Sequence, residues 1–263
     1  MSNPVFFTAP GTLDGLVPGS VFTVDGPEAR HAVTVKRLAV GEPVDIADGA
    51  GKRLTGAVAA VAPNQLTVTC AELSDEPQPA VRLVLVQALA KGDRDELAAE
   101  TATELGIDAV VPWQAERSIV RWKAERAAKA HAKWQSVVTA AAKQARRAWI
   151  PEVRSAVDGA GLQAAVAAAD LAIILHEDAV RQLRQVLEAW QATSSADPST
   201  GNASGEGREV LLIVGPEGGI SPREVTRLCD AGAVTALLGH HVLRSSTAGP
   251  AATVLASDIL GRW

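Results

Sequence analysis

Two glycine turns carry the residues best suited to chemistry. In Leu211-Leu212-Ile213-Val214-Gly215-Pro216-Glu217-Gly218-Gly219-Ile220-Ser221-Pro222-Arg223-Glu224, an apolar run stops at a glycine-rich turn that then opens a helix. The run reads as a strand buried on both faces, the glycines let backbone N–H groups approach a ligand, and Pro216 stiffens the turn. Ser221, Pro222 and Glu224 fit N-cap, N1 and N3 of a capping box, a start signal worth about 1 kcal/mol. The turn lacks the Lys-Ser/Thr ending of a P-loop and does not match G-x-G-x-x-G, so its spacing specifies neither a nucleoside triphosphate nor a dinucleotide. A ligand-free strand-to-helix connection is the competing reading. The second turn, Leu237-Leu238-Gly239-His240-His241-Val242-Leu243-Arg244-Ser245-Ser246-Thr247-Ala248-Gly249, again follows an apolar strand, and Leu175-His176-Glu177 ends another. On neighbouring parallel strands the three segments would meet at one end of a sheet, where loops build pockets.

A different chemistry is concentrated mid-chain. Between Arg117 and Arg147 there are nine lysines and arginines against one acid, Glu125, so this segment carries +8 in a chain whose net charge is −5. Recognition of phosphates depends on the local field, although charge runs also serve as plain solvated helix faces.

The elements that must position these residues fall into two patterns. Residues 20–24, 44–47, 54–61 and 66–71 are short β-prone runs, which fit a small barrel. Asp48-Gly49-Ala50-Gly51 has hairpin-turn chemistry, 28–37 reads as a short helix or irregular segment, and 74–79 has linker composition. Beyond it, strands are expected at 81–87, 109–112, 171–175, 210–214 and 234–238. Helices are expected at 93–105 (closed by Gly106), 122–149, 178–190, 221–231 and 247–260. This alternation predicts an α/β domain with a parallel sheet over 80–263, preceded by a β-barrel over 1–74. Residues 193–208, rich in Ser, Gly, Asp and Asn, read as a mobile surface loop.

Composition excludes several classes. Hydrophobic residues make up 47% of the 263, ample for a core, and no apolar stretch approaches a membrane span. Residues 1–19 have no secretory-signal pattern. Cys70 and Cys229 form no C-x-x-C, which argues against a zinc site and for reduced thiols in a cytoplasm.

Taken with Gln87-Ala88-Leu89-Ala90-Lys91-Gly92-Asp93-Arg94 and Thr103-Glu104-Leu105-Gly106-Ile107, the three turn segments resemble the RsmE-type ribosomal RNA methyltransferases of the SPOUT superfamily. Residues 31–38 with Asp48-Gly49 look like that family's PUA-like RNA-binding barrel, and Glu116-Arg117-Ser118 and 144–151 like its central motifs. The resemblance implies methylation of a uridine N3 in 16S ribosomal RNA with S-adenosylmethionine as cofactor. It also implies a deep trefoil knot in the carboxy-terminal domain, a homodimer, and a partner that is small-subunit ribosomal RNA or the assembled subunit. Neither a membrane nor a metal is implied.

Carried over by position, the cofactor loops are 175–177, 215–219 and 238–248, with Leu175, His176, Gly215, Glu217, Gly219, Leu238, Gly239, Val242, Leu243, Arg244, Ser246 and Ala248 as contacts. His31, Arg37, Arg117, Arg121, Arg146 and Arg147 are the candidate RNA contacts. Attack by uracil N3 on a methyl group requires stabilising the uracil anion, a task for a guanidinium, and Arg147 leads Arg117 and Arg244 for it. His176, Glu217 or solvent is the candidate proton acceptor. Glu217 either favours the cofactor's positive charges or is merely solvated.

The chain departs from the family pattern at His240-His241, where Pro-Arg is common, and at Ser246, where a Glu is common. Adjacent histidines without a further Cys/His cluster read as solvent-facing rather than metal-binding. Competing functions are a SPOUT enzyme acting on another RNA atom, such as a ribose 2′-hydroxyl, and a non-catalytic RNA-binding module.

Overall fold

The computed structural model describes residues 3–195 and 207–263. The chain divides into two units, Met1–Gln78 with Ala142–Ile150, and Pro79–Ala141 with Pro151–Trp263.

The first unit holds β1 (Val5–Phe7), β2 (Val21–Asp25), α1 (Gly26–Arg30) running into a π-helical turn (His31–Val35), β3 (Pro43–Ala47), β4 (Lys52–Ala62) and β5 (Gln65–Asp75). The sheet order is β1-β3-β4-β5-β2, antiparallel except for the parallel β1–β3 pair. Alternate residues point inward, as Leu66, Val68 and Cys70 do on β5, and all five strands contribute to one core. The sheet therefore curls around that core, as the barrel reading anticipates. Asp48 closes the β3–β4 turn by accepting the N–H groups of Ala50 (2.8 Å) and Lys52 (3.0 Å). Ser74 and Asp75, expected in a linker, instead extend β5 by pairing with Arg53 and Lys52.

The second unit contains β6 (Val81–Ala88), α2 (Arg94–Glu104), β7 (Ala109–Trp113), α3 (Ala124–Gln144), β8 (Glu152–Val153), α4 (Gly159–Ala168), β9 (Leu171–Leu175), α5 (Leu183–Ser195), β10 (Arg208–Val214), α6 (Pro222–Asp230), β11 (Val234–Ala236) and α7 (Ser245–Ile259). Six strands form a sheet ordered β11-β9-β10-β6-β7-β8, every neighbouring pair parallel. Both faces are buried, which explains the nearly continuous apolar runs. Val84, Val86, Ile174, Leu211 and Ile213 pack beneath Leu162 of α4 and Leu228 of α6. On β6, Leu85 faces Gly249 of α7, so closely that a Cβ there would lie 2.8 Å from Leu85 Cδ1. The chain end is clamped by Arg262, whose guanidinium holds Asp108 bidentately at 2.6 and 2.9 Å. Among the described residues no helix is long and apolar enough to cross a membrane.

Several expected boundaries move for identifiable reasons. α3 stops at Gln144 rather than 149 because Arg146 adopts a left-handed φ of 58°. Arg147 N–H then donates to Ala142 O (2.9 Å) and Arg146 N–H to Lys143 O (3.1 Å), a Schellman motif with arginine where glycine is usual. Nothing in the residue types marks that stop. Beyond it the chain turns to the first unit's sheet, where Ile150 N–H donates to Gly49 O and Trp149 Nε1 to Glu76 O. α5 begins late because Arg181 and Leu183 exchange backbone hydrogen bonds with Leu237. Of the loop expected at 193–208, residues 193–195 finish α5 and Arg208 opens β10, while 196–206 lie outside the described residues.

Candidate active site

Parallel register puts the carboxyl ends of β6, β9, β10 and β11 at one edge: Val214 pairs with Gln87, Ile213 with Ile174, and Ala236 with Leu175. The chain leaving β9 stays beside that leaving β11, since His176 N–H donates to Ala236 O at 3.0 Å. The three segments singled out by their glycines and apolar lead-ins thus converge on one cavity of about 1000 Å³ within the second unit.

The glycine turn is built by its own composition. Gly219 N–H donates to Pro216 O at 2.9 Å, and Gly219 has a φ of 71°, which an L side chain rarely adopts. At Gly215 the constraint is space, because a Cβ would lie 2.5 Å from Ile220 Cγ1. The helix that follows carries the expected capping box: Glu224 N–H donates to Ser221 Oγ and Ser221 N–H to Glu224 Oε2, each at 3.1 Å. Glu224 is buried, and its Oε1 accepts Glu116 N–H at 2.8 Å while Ser221 Oγ donates to Glu116 Oε2 at 2.7 Å. The capping box therefore also docks the loop after β7. Arg117 of that loop donates from Nη1 to Gly218 O at 3.0 Å.

Of the expected cofactor contacts, Leu175, His176, Gly215, Glu217, Gly219, Leu238, Gly239, Val242, Leu243, Arg244 and Ala248 line the cavity, whereas Ser246 does not. Apolar lining comes partly from Val242 and Leu243, large hydrophobic side chains left exposed. The charged lining balances: Glu177, Asp178 and Glu217 against Arg94, Arg117 and Arg244, with His176, His240 and His241 beside them.

The two side chains considered as bases are both engaged. Glu217 Oε1 accepts the Lys91 N–H at 3.1 Å and pairs with Arg94 at 3.3 Å, stapling the loop after β6 to the glycine turn. It is therefore neither free nor simply solvated. His176 Nδ1 accepts Asp178 N–H at 3.2 Å. That contact turns Nδ1 toward the backbone of the loop after β9. Arg94 and Ser245 were not singled out from sequence, although Arg94 stands at N1 of α2, in a segment quoted for the resemblance, and Ser245 inside the second turn.

Among the expected RNA contacts, Arg117 lines the cavity, and Arg121 is exposed with Nη2 donating to Glu116 O at 2.9 Å. Arg37, Arg146 and Arg147 belong to the first unit, so Arg147 is not part of the cavity wall. Arg37 and Arg146 are exposed, and both hold left-handed backbone, φ 56° and 58°. His31 takes a packing role: its ring stands edge-on to Phe6 with centroids 5.9 Å apart, and Nδ1 lies 3.2 Å from Lys143 Nζ. Burial and the Lys143 cation hold its pKa below the ordinary 6.5, against the opposing pull of Glu28. The basic segment is also less free than its composition suggests. Lys143 pairs with Glu28 at 2.7 Å, and Lys133 with Glu96 at 2.8 Å and Asp93 at 3.3 Å. Trp134 is buried with Trp122 edge-on against it at 5.7 Å, so these two indoles pack.

Known proteins resemble this chain in sequence and in fold. A family model described as an RNA methyltransferase domain matches residues 76–257, and one described as an RNA methyltransferase PUA domain matches 24–69. Ribosomal RNA small subunit methyltransferase E of Mycobacterium bovis is 36% identical over 249 residues, covering 93% of this chain and 89% of that protein. The Bacillus subtilis protein of the same name is 28% identical over 228 residues, 86% of each. Among solved structures, ribosomal RNA small subunit methyltransferase E from Neisseria gonorrhoeae, bound to S-adenosyl methionine, superposes with a TM-score of 0.76. It is 25% identical and covers 98% of both chains. A putative methyltransferase from Legionella pneumophila with bound S-adenosyl methionine gives 0.75, also 25% identical over 98% of both.

Proposed function

The chain belongs to the ribosomal RNA small subunit methyltransferase E family, and on that premise we propose that it methylates N3 of a uridine in 16S ribosomal RNA, using S-adenosylmethionine. The carrying observation is the convergence of three loops on one cavity whose lining suits that cofactor. Leu175, Leu238, Val242 and Leu243 offer an apolar wall for a purine ring, and Glu177, Asp178 and Glu217 suit sulfonium and ammonium charges. The cavity volume, about 1000 Å³, accommodates a molecule of that size.

Bound there, the cofactor supplies an electrophilic methyl group. The chain's part is to place the uracil, stabilise its anion and shed the N3 proton. Arg147 lies outside the cavity wall, so the oxyanion role passes to Arg117, with Arg244 of the second turn lining the same cavity. Arg117 spends one donor on Gly218 O, which fixes the guanidinium over the turn and leaves donors for a carbonyl oxygen that gains charge. Asp178 N–H takes His176 Nδ1, and Lys91 and Arg94 take Glu217 Oε1, which favours water over either side chain as the acceptor of the N3 proton. Arg37, Arg146 and Arg147 on the first unit and Arg121 on the second take RNA phosphates, which position the target without reading its sequence. The knotted chain path, the homodimer and a cytoplasmic site of action follow from the same family reading.

Transfer of labelled methyl groups to unmethylated small-subunit RNA, naked and assembled, tests the function. Arg117→Ala is expected to lower kcat about 100-fold, the scale of one lost oxyanion donor. Glu217→Gln and His176→Gln are expected to leave the shape of the pH–rate profile unchanged. Loss of its rising limb in either variant would restore that side chain as the base.

A further inference from the structure

Arg117, which takes the oxyanion role above, is an exposed side chain on a surface turn. A guanidinium on a flexible stem stabilises a developing charge only if it is already in place. The backbone beneath it is closed by Ser118 N–H, which donates to Ala115 O at 3.1 Å, a β-turn with Glu116 and Arg117 at its centre. Ala115 and Ser118 are buried, so the turn is rooted at both ends while its tip presents the two charged residues. Arg117 leans on the glycine turn: Nη1 donates to Gly218 O at 3.0 Å, and a Cβ at Gly218 would stand 3.4 Å from Arg117 Cβ.

Its neighbour Glu116 is fastened more firmly. The Glu116 N–H, which the turn itself leaves unpaired, donates to Glu224 Oε1 at 2.8 Å, and the carbonyl accepts Arg121 Nη2 at 2.9 Å. Its Oε2 accepts the Ser221 hydroxyl at 2.7 Å. That last bond has a fixed direction, because Ser221 Oγ already accepts Glu224 N–H as the cap of α6 and has its proton left to give. Ser221 and Glu224 are buried, so they form a rigid wall for an exposed carboxylate to grip. Two adjacent residues of one turn thus hold the two ends of the Gly218–Ser221 segment, Arg117 from the guanidinium side and Glu116 from the carboxylate side. We infer that Glu116 is a positioning residue: its carboxylate, bound by Ser221 Oγ, sets the turn against the start of α6 and so holds the Arg117 guanidinium where a uracil oxygen gains charge. This rests on the oxyanion reading of Arg117 and adds the residue through which that guanidinium is placed.

Methyl transfer to small-subunit RNA by Glu116→Ala, Arg117→Ala and the double variant tests the coupling. Glu116→Ala is expected to lower kcat about tenfold, the scale of a sub-ångström misplacement of a catalytic group, with KM for S-adenosylmethionine unchanged. In the Arg117→Ala background the same substitution should lower kcat no further, because no guanidinium is left to place. Glu116→Gln, whose amide oxygen accepts the same Ser221 hydroxyl, should keep the wild-type kcat. The melting temperature of Glu116→Ala should fall by less than about 2 °C, as for other exposed side chains. Wild-type kcat in Glu116→Ala, a tenfold loss that persists without Arg117, equal impairment in Glu116→Gln, or a larger fall in melting temperature would overturn the inference. Wild-type kcat in Arg117→Ala would instead refute the oxyanion reading on which it rests.

Discussion

A methyl group added at Gly215 measures how tightly the glycine turn is held to the core. The new Cβ would lie 2.5 Å from Ile220 Cγ1 and 3.3 Å from its Cδ1. Ile220 is 6% exposed and sits in the core with Leu228 and Ala233, so its inner carbon has nowhere to swing. The Gly215 φ lies outside the left-handed region, so the effect is one of space rather than backbone strain. Overpacking of this kind costs about 1–3 kcal/mol. Ile220→Ala alone should cost about 2–5 kcal/mol by leaving a cavity. In the double variant the Gly215 methyl fills part of that cavity. The two substitutions together should then cost about 1–2 kcal/mol less than their sum. Urea unfolding followed by circular dichroism reads the cycle, and calorimetry with S-adenosylhomocysteine should show weaker binding to Gly215→Ala and partial recovery in the double variant. Costs that add to within about 0.5 kcal/mol would refute the steric account.

Three further outcomes follow from the geometry. Arg146→Gly should raise stability by about 0.5–1 kcal/mol, because glycine adopts the left-handed cap without cost, while lowering RNA affinity and its salt slope by about one phosphate; a stability loss would show that the arginine side chain holds the cap. Arg262→Ala breaks a nearly buried bidentate pair with Asp108 and should cost about 3 kcal/mol in urea unfolding, whereas a cost below about 1 kcal/mol would mark an ordinary surface pair. His31, with its pKa held below 6.5 in the fold, resists the proton that the unfolded chain accepts. Its contribution to stability is thus complete above pH 6.5 and is lost as pH falls through 6.5 toward the folded value. The melting temperature should fall between pH 7.5 and 5.5, and His31→Gln should flatten that fall; an unchanged pH dependence would remove His31 as its source.

Local signals were legible wherever one residue type decides a conformation. Gly106 closes α2, Ser221 and Glu224 cap α6, Asp48 turns the β3–β4 hairpin, and the apolar runs of β9 and β10 are strands. Features decided by distant partners were not. Arg146 ends α3 without a glycine, the delay before α5 depends on pairing with Leu237, and β5 extends to Asp75 through its register with β4. The same division holds at the site. The three loops could be found from their glycines and apolar lead-ins, but not the engagement of Glu217 by Arg94 and Lys91, which lie 123 and 126 residues away in sequence. Nor could the unpaired state of Ser245 Oγ be read from its type, because burial without a partner is a property of packing.

Mass spectrometry of the ribosomal RNA of a strain lacking this gene, with the methylated atom assigned from fragmentation, reads the proposed reaction itself. One N3-methyluridine should be lost from the small-subunit RNA and restored by the intact gene but not by a Gly215→Trp variant. A full complement of N3-methyluridine in the deletion strain would contradict the proposed reaction.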